Sequence, residues 1–369
     1  MVTMPYLNVD EVESALSVAT SAPYNTFTEL ITLPNLTWEN RQCHAIKIAK
    51  GSNLGRPGVY FLGGVHAREW GSSDILINFV EKLEQAYLNN TGLTFGSKNF
   101  SSADIKTIVN TLDIIVFPQA NPDGRHHSMT SDVWWRKNRR ILPPNSASGN
   151  PACVGVDINR NYDFLWDFPR YFDPSAPIVD SIDPCDYQLY NGPTAFSEPE
   201  TKNAKWIFDN FLNISFFIDV HSYSEDILYS WGDDDDQTND PSMTFQNPSF
   251  NGSHGRGIPD ASGLPGASAY REYIPSSDKS KAIGLANIFR NGIQAVRGKT
   301  YTVKPAVNLY PTAGTSDDYA YSRHFVDSTK QKVIAYTLEW GTEFIPPYTE
   351  MQNIIQDITS GLLAFCVGV

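Results

Sequence analysis

The sequence has few cysteines, no long apolar run and a shortage of positive charge. Its 369 residues include four cysteines, too few and too scattered for a zinc knuckle, although their even number permits two disulfides. The 28 basic residues are outnumbered by 41 acidic ones, and the net charge of −13 repels nucleic acid and anionic membranes. We therefore expect neither as a partner.

The apolar runs have the length of β-strands, which predicts no membrane span. The first residues, MVTMPYLNVDEVES, lack the basic start and apolar core of a signal peptide. Hydrophobic residues nevertheless make up 41% of the chain, enough to bury a full core. Because no internal repeat or long linker divides the sequence, we expect one globular domain over residues 1–369.

Strand-like and helix-like segments alternate along most of the chain. The order GVYFLGGV, DILINFVEKLEQAYL and LDIIVFPQ predicts a β-α-β unit. Later segments continue the alternation: a helix in EPETKNAKWIFDNFL with Ser197 as its N-cap, a strand in ISFFIDV, a helix in DKSKAIGLANIFRNGIQAV, a strand in VIAYTLEW and a closing helix near MQNIIQDITSGLLAF. This alternation predicts an α/β fold, a three-layer α/β/α sandwich.

Two stretches interrupt the alternation and are predicted to be surface excursions. One is the Pro- and Gly-rich run over residues 167–193, and the other is an insertion over residues 233–275 that opens with four consecutive Asp. Contiguous Asp residues rarely present all their oxygens to one ion. We therefore expect a solvated loop there rather than a calcium site.

A candidate metal site follows a predicted buried strand. In GGVHAREW, His66 and Glu69 are three residues apart in a turn, a spacing that can aim both side chains at one zinc ion. His221 is the best third ligand because FFIDVHSYS again ends a strand in histidine, whereas His126 and His127 lie in a turn-like NPDGRHHS. Two His and one Glu with an open fourth position are typical of a catalytic zinc site.

With these residues and the motifs around them, the sequence resembles the zinc carboxypeptidases of the carboxypeptidase A/B family. The resemblance runs from about Tyr6 to the C-terminal helix through seven motifs in the family's order: GGVHAREW, NPDG, WWRKNRR, CVGVDINRNYDF, HSYS, LYPTAGTSDDYAY and YTLEWG. It implies an α/β/α fold around a mixed, mostly parallel sheet, with one zinc at the carboxyl ends of central strands. It also implies that the chain begins at the catalytic domain, since no pro-segment is seen before PYLNVDEVESAL.

The resemblance assigns the reacting groups. His66, Glu69 and His221 match the metal ligands, and Glu339 matches the glutamate that activates the attacking water. Arg136 in WWRKNRR matches the arginine that faces the developing oxyanion, a kind of contact whose loss typically costs about 100- to 1000-fold in rate.

The resemblance also implies a binding site for the substrate's C-terminus. Asn159 and Arg160 match the clamp for the terminal carboxylate, and a guanidinium suits that group because it can form two parallel hydrogen bonds with it. Tyr310 matches a mobile tyrosine that closes over the bound end. Arg68 and Tyr223 match contacts further along the peptide.

The cysteines and sequons bear on location. Cys153 and Cys185 align with a disulfide of the family, worth about 3 to 4 kcal/mol by loop closure. Cys43 and Cys366 have no such counterpart, so they either pair or remain buried thiols. Five Asn-x-Ser/Thr sequons favour a secreted protein, with a cytoplasmic location left open.

We expect a monomer that acts on peptide or protein C-termini.

Asp317 in GTSDDYAY bears on which residue is released. Counted from Tyr310 without gaps, it falls deep in the specificity pocket, at a position that is apolar in A-type enzymes and Asp in B-type ones. We therefore expect basic C-terminal residues to be preferred. A dual preference for basic and apolar residues stays open, because the other predicted wall residues keep part of the pocket apolar: Pro305, Leu309 and Thr312. Alternatively, Ser316 and the two Asp residues after it only cap a helix.

Other functions fit the same catalytic residues. An A-like enzyme for apolar C-termini, a hydrolase of cell-wall peptides and a hydrolase of N-acyl amino acids are the alternatives within enzymes. A binding module that has lost catalysis would lack the base or a metal ligand. Glu339 and all three ligands are present, which argues against that module.

Overall fold

The structure is a computed structural model that describes residues 5–51, 55–141, 150, 153–255 and 270–369. Its strands are β1 (Thr28–Thr32), β2 (His44–Ile48), β3 (Gly58–Gly63), β4 (Leu93–Phe95), β5 (Lys98–Phe100), β6 (Asp113–Phe117), β7 (Ile214–His221), β8 (Asp226–Tyr229), β9 (Asp236–Gln237), β10 (Glu272–Tyr273), β11 (Thr302–Pro305) and β12 (Ile334–Glu339). Its α-helices are α1 (Val9–Ala19), α2 (Gly71–Asn89), α3 (Ser102–Thr111), α4 (Pro122–Thr130), α5 (Phe168–Tyr171), α6 (Pro199–Asn210), α7 (Ser276–Arg297), α8 (Ser316–Val326) and α9 (Tyr348–Gly368).

Eight of these strands form one mixed sheet in the order β1-β2-β6-β3-β7-β12-β8-β11. The four central strands β6, β3, β7 and β12 are mutually parallel, as are β8 and β11 at one edge. Antiparallel pairs join β1 to β2, β2 to β6 and β12 to β8. All six residues of β3 are buried, as expected for a central parallel strand covered on both faces.

Helices cover both faces of the sheet. Consecutive residues of a strand point to opposite faces, and β3 shows this with two aromatic rings. Tyr60 packs on Phe208 of α6 with ring centroids 5.1 Å apart, whereas Phe61 packs on Phe79 of α2 at 5.2 Å. Helices α6 and α2 therefore lie on opposite faces, and the predicted three-layer α/β/α architecture is confirmed.

Two local predictions are wrong. The helix expected after Ser197 begins at Pro199 with Glu198 as its N-cap, because proline suits the first helical position. His126 and His127 lie in α4 rather than in a turn, since the Asn121 side chain caps this helix by accepting from Gly124 N at 2.9 Å. Among the described residues, no helix is both long and apolar enough to cross a membrane.

The cysteines and the acidic segment also have defined positions. Cys153 and Cys185 form the predicted disulfide, while Cys43 and Cys366 are buried free thiols. In the segment 233–275, the expected solvated loop is wrong for Asp233 and Asp234, whose side chains are buried. Residues 256–269 of the predicted insertion lie outside the described residues.

Helices α7 and α9 cross at close range, and this contact provides a test of the fold. Gly292 of α7 faces Gly361 of α9, and a Cβ at position 292 would lie 2.7 Å from the Ala364 Cβ and 3.0 Å from the Gly361 Cα. Gly284 of the same helix has nothing within 4 Å of the corresponding position. Only the first glycine is therefore required by packing.

We predict that Gly292→Ala destabilises the fold by about 1 to 3 kcal/mol, because the added methyl overpacks a rigid contact. The matched control Gly284→Ala should stabilise it by roughly 0.5 to 1 kcal/mol through helix propensity. Urea unfolding of both variants measures the difference. Equal effects of the two substitutions would show that the crossing is not tightly packed.

Candidate active site

Three neighbouring strands bring the predicted reacting groups to one edge of the sheet. β7 ends at His221 and β12 ends at Glu339, and these two residues are partners in the parallel register. On the other side of β7, Gly63 at the end of β3 is the partner of Val220. The turn that carries His66 follows β3 directly, so it lies beside the end of β7.

The turn after β3 is held by backbone contacts. Gly64 has φ +65°, and a Cβ there would lie 3.0 Å from the Pro118 carbonyl oxygen, so glycine fits best. Ala67 N donates to Arg136 O at 3.0 Å, and Glu69 N donates to His66 O at 3.2 Å. These bonds fix the spacing between the two predicted ligands of the turn.

The three predicted metal ligands converge. His66 Nδ1 lies 2.8 Å from Glu69 Oε1, and His221 Nδ1 lies 3.0 Å from His66 Nδ1 and 3.1 Å from Glu69 Oε2. All three side chains are buried. Burial alone would raise the pKa of Glu69, but the adjacent His66 and His221 hold that pKa below its usual range.

A carboxylate lies behind each histidine. His66 Nε2 is 3.2 Å from Asp157 Oδ1, and His221 Nε2 is 2.9 Å from Asp219 Oδ2. Metal-binding histidines commonly place their second nitrogen against a carboxylate in this way, which orients the ring. Two Nδ1 atoms and one carboxylate that face a common point are a donor set that fits zinc.

Glu339 and Arg136 lie beside this centre. Burial raises the pKa of Glu339 to about 8, and the charge of Glu69 adds to the rise. Arg136 donates from Nε to Asp157 Oδ2 at 3.0 Å, and its Nη2 lies 2.9 Å from the same oxygen. Asp157 therefore orients both Arg136 and the His66 ring.

Asn159 and Arg160 lie in a short 3₁₀ turn, Ile158–Arg160, and both are buried. Arg160 donates from Nε to Val179 O at 2.8 Å and from Nη1 to Asn159 O at 2.7 Å, which fixes its guanidinium. Asn159 Oδ1 accepts from Ser316 N at 2.9 Å, so this pair is tied to the start of α8.

A cleft of about 270 Å³ gathers the predicted residues other than His221, which lies behind its wall beside Glu69, and Asp317. It is lined by His66, Arg68, Glu69, Arg136, Asn159, Arg160, Ser222, Tyr223, Leu309, Tyr310, Glu339 and Phe344. Tyr310 is half-buried on the wall of this cleft. Gly314 packs against Arg160, because its φ is +63° and a Cβ there would lie 2.3 Å from the Arg160 carbonyl oxygen.

Arg68 and Tyr223 meet at the cleft mouth. The Arg68 guanidinium carbon lies 4.2 Å from the ring centroid of Phe344, a cation–π contact. Tyr223 packs edge-on against the same ring at 4.8 Å and is 46% exposed. Both residues therefore line the cleft together with Phe344.

Asp317 lies in a narrow recess of about 30 Å³ next to the cleft. The recess is lined by Asn159, Arg160, Leu228, Ala306, Leu309, Tyr310, Thr312, Thr315, Asp317, Thr337 and Glu339. Of the three predicted wall residues, Leu309 and Thr312 line it and Pro305 does not. Burial raises the pKa of Asp317, and Asp219 adds to the rise.

Sequence reasoning missed three residues of the site: Asp157, Asp219 and Phe344. Asp219 carried a signal, because it is a charged residue in an apolar strand two positions before His221 and so lies on the same face. Asp157 lies two residues before Asn159 in CVGVDINRNYDF but shows no periodicity of its own. Phe344 had no local signal.

Comparison with known proteins gives the family. A family model described as "Zinc carboxypeptidase" matches residues 15–360. Carboxypeptidase B of Astacus astacus is 28% identical over 338 residues, which cover 90% of this chain and 86% of that protein. Zinc carboxypeptidase A 1 of Anopheles gambiae is 28% identical over 317 residues, but these are 84% of this chain and only 56% of that protein.

A solved structure shows the same fold. Carboxypeptidase A from Helicoverpa armigera superposes with a TM-score of 0.71 at 20% identity, over 99% of this chain and 74% of that one. Since the family model matches nearly the whole chain, this chain belongs to the zinc carboxypeptidase family of metal-dependent hydrolases, which confirms the enzyme class predicted from the motifs.

Proposed function

We propose that this protein hydrolyses the last peptide bond of peptides and proteins and releases single C-terminal residues. The observation that carries the proposal is one cleft that joins a His66–Glu69–His221 centre to Glu339, Arg136 and the buried Asn159–Arg160 pair. A reacting centre next to a fixed guanidinium suits a scissile bond one residue from a terminal carboxylate.

The family implies a zinc cofactor. We assign one ion to His66, Glu69 and His221, since their donor atoms lie within 4.8 Å of one another. When bound there, zinc would polarise the scissile carbonyl and make water a stronger acid. Asp157 and Asp219 would orient the two imidazole rings from behind.

Each remaining residue then has one task. Glu339 would take a proton from the attacking water and return it to the leaving amine. Arg136, held by Asp157, would stabilise the negative charge that develops on the carbonyl oxygen. Arg160 and Asn159 would hold the terminal carboxylate, Tyr310 would close over it, and Arg68 and Tyr223 would contact residues upstream.

We infer a preference for basic C-terminal residues from Asp317. Among the described residues, no Lys or Arg forms an ion pair with this buried carboxylate. A cationic substrate side chain would supply that partner, and burying a carboxylate without one is costly. Leu228, Ala306 and Leu309 line the same recess, which supports some activity on apolar ends.

The disulfide supports secretion. Cys153 and Cys185 are oxidised in the structure, and disulfides persist mainly in extracellular and other oxidising compartments. We therefore propose an extracellular protease.

The central test is the C-terminal group of the substrate. We predict that an N-blocked dipeptide ending in a free carboxylate is cleaved and that its C-terminal amide is not, because Arg160 would lose its charged partner. Release of the terminal residue is followed by chromatography. Rapid hydrolysis of the amide would indicate an endopeptidase instead.

A second prediction concerns the base. Glu339→Gln should lower kcat at least 100-fold while keeping bound zinc, because only proton transfer requires an ionisable group there. Glu343→Gln, at an exposed acid four residues further along, serves as the control and should retain parent activity. Parent-like turnover in Glu339→Gln would mean that the base is another residue.

A third prediction concerns specificity. Asp317→Asn keeps the shape of the side chain and removes its charge. The value of kcat/KM for Lys-ending substrates should then fall about 30-fold or more, because a buried charge pair worth roughly 2 kcal/mol or more is lost. Asp317→Ile and Asp317→Ala should shift the preference toward Leu and Phe. A parent enzyme that favours Phe over Lys, with no change in these variants, would show that Asp317 does not read the substrate.

A further inference from the structure

A second group of potential metal ligands lies in the segment that follows β8. Asp233, His254 and Glu272 are all fully buried, and their ligand atoms lie within 4.8 Å of one another. His254 Nδ1 is 2.6 Å from Asp233 Oδ2, a contact close in length to the 2.8 Å between His66 and Glu69 at the catalytic centre. Two groups in the described part of the chain thus share the same pattern of buried donors.

The surroundings of this group are acidic. Asp234 and Asp318 are also fully buried nearby, and Asp318 Oδ2 accepts from Gly232 N at 2.9 Å. Asp234 Oδ2 accepts from Gly255 N at 2.7 Å. Glu272 Oε1 accepts from Phe245 N at 3.1 Å, and its Oε2 accepts from the Tyr270 hydroxyl.

The nearby cations among the described residues form ion pairs with other carboxylates. Lys279 Nζ lies 3.0 Å from Asp236, and Arg271 Nε lies 3.5 Å from Asp235. Within the described ranges, no Lys or Arg forms an ion pair with Asp233 or Glu272. In the described part of the chain, the basic side chain that contacts Asp233 is His254.

One buried oxygen atom of this group has no hydrogen-bond partner among the described residues. Asp233 Oδ1 has no hydrogen-bond partner although the side chain is fully buried. An unsatisfied buried carboxylate oxygen costs free energy that a bound cation would recover. The other carboxylate oxygen is held by His254, so the free oxygen belongs to a group that is already oriented.

We propose that Asp233, His254 and Glu272 bind a second divalent metal ion, of the class that accepts mixed nitrogen and oxygen ligands, with zinc as the first choice. An imidazole ligand favours zinc and its neighbours over calcium, which takes oxygen ligands. The site is separate from the catalytic centre, and its existence does not depend on the proposed function.

The position of this site suggests what it does. Gly232 O accepts from Thr312 N at 2.8 Å, and Gly232 N donates to Asp318, the residue after Asp317. The ion would therefore lie next to the wall of the narrow recess that holds Asp317 and Thr312. It would also join the two sides of the segment, because Asp233 and His254 precede residues 256–269 and Glu272 follows them. The ion would act as a structural brace.

The test counts bound metal in the full chain. After exposure to Zn²⁺ and removal of free metal, elemental analysis should find two ions in the parent, one in Glu272→Gln and one in His254→Asn. His221→Asn should also retain one ion, and the combination of His221→Asn with Glu272→Gln should retain none. Glu84→Gln is the matched control, since Glu84 is another buried Glu in α2, and it should keep two ions.

Thermal unfolding gives an independent readout if a variant folds poorly. With a metal site, Zn²⁺ raises the Tm of the parent more than that of Glu272→Gln, because the variant has lost a ligand. Without one, Zn²⁺ raises the two Tm values equally. One ion in the parent that disappears in His221→Asn, or two ions retained in Glu272→Gln, would overturn the proposal. Peptidase activity is not the measurement, so this outcome stays distinguishable from failure of the proposed function.

Discussion

The parallel hydrogen bonding of β7 with β3 on one side and β12 on the other controls the geometry of the site. The pairing sets His221 opposite Glu339 and the end of β3 beside Val220. Because side chains alternate across a strand, a slip of one residue would turn His221 to the other face of the sheet. The central strands are buried on both faces, so their hydrophobic packing fixes this register.

Buried charge at the edge of the sheet is arranged in connected pairs. Asp157 contacts both His66 and Arg136, while Asp219 contacts His221 and accepts from Ser316 Oγ at 2.5 Å. Each carboxylate thus contacts one imidazole ring and one other side chain at the cleft, Arg136 or Ser316. Such pairs are costly to bury, and their value lies in fixing the geometry of the groups that they contact.

The segment after β8 follows a different pattern. It places Asp233 and Glu272 in the interior without a Lys or Arg partner in the described part of the chain, although Glu272 belongs to β10, which pairs with β9. The carboxylates and the nearby recess that contains Asp317 share a backbone connection through Gly232. A change of charge in this cluster would therefore act on the wall that contains Asp317.

The sequence by itself determined the fold class and the main residues of the cleft. Strands such as GVYFLGGV and ISFFIDV are continuous apolar runs. The His and Glu residues that follow them stand out because they are polar and titratable. The tertiary structure decided which strands are neighbours, and with them the contacts of Asp157 and Asp219. It also buried Asp233, which local composition predicted to be solvated. The physical reason is that strand pairing and the burial of a carboxylate depend on residues distant in the chain. Asp233, for example, lies beside His254 and Glu272. The local sequence pattern carries no information about such partners.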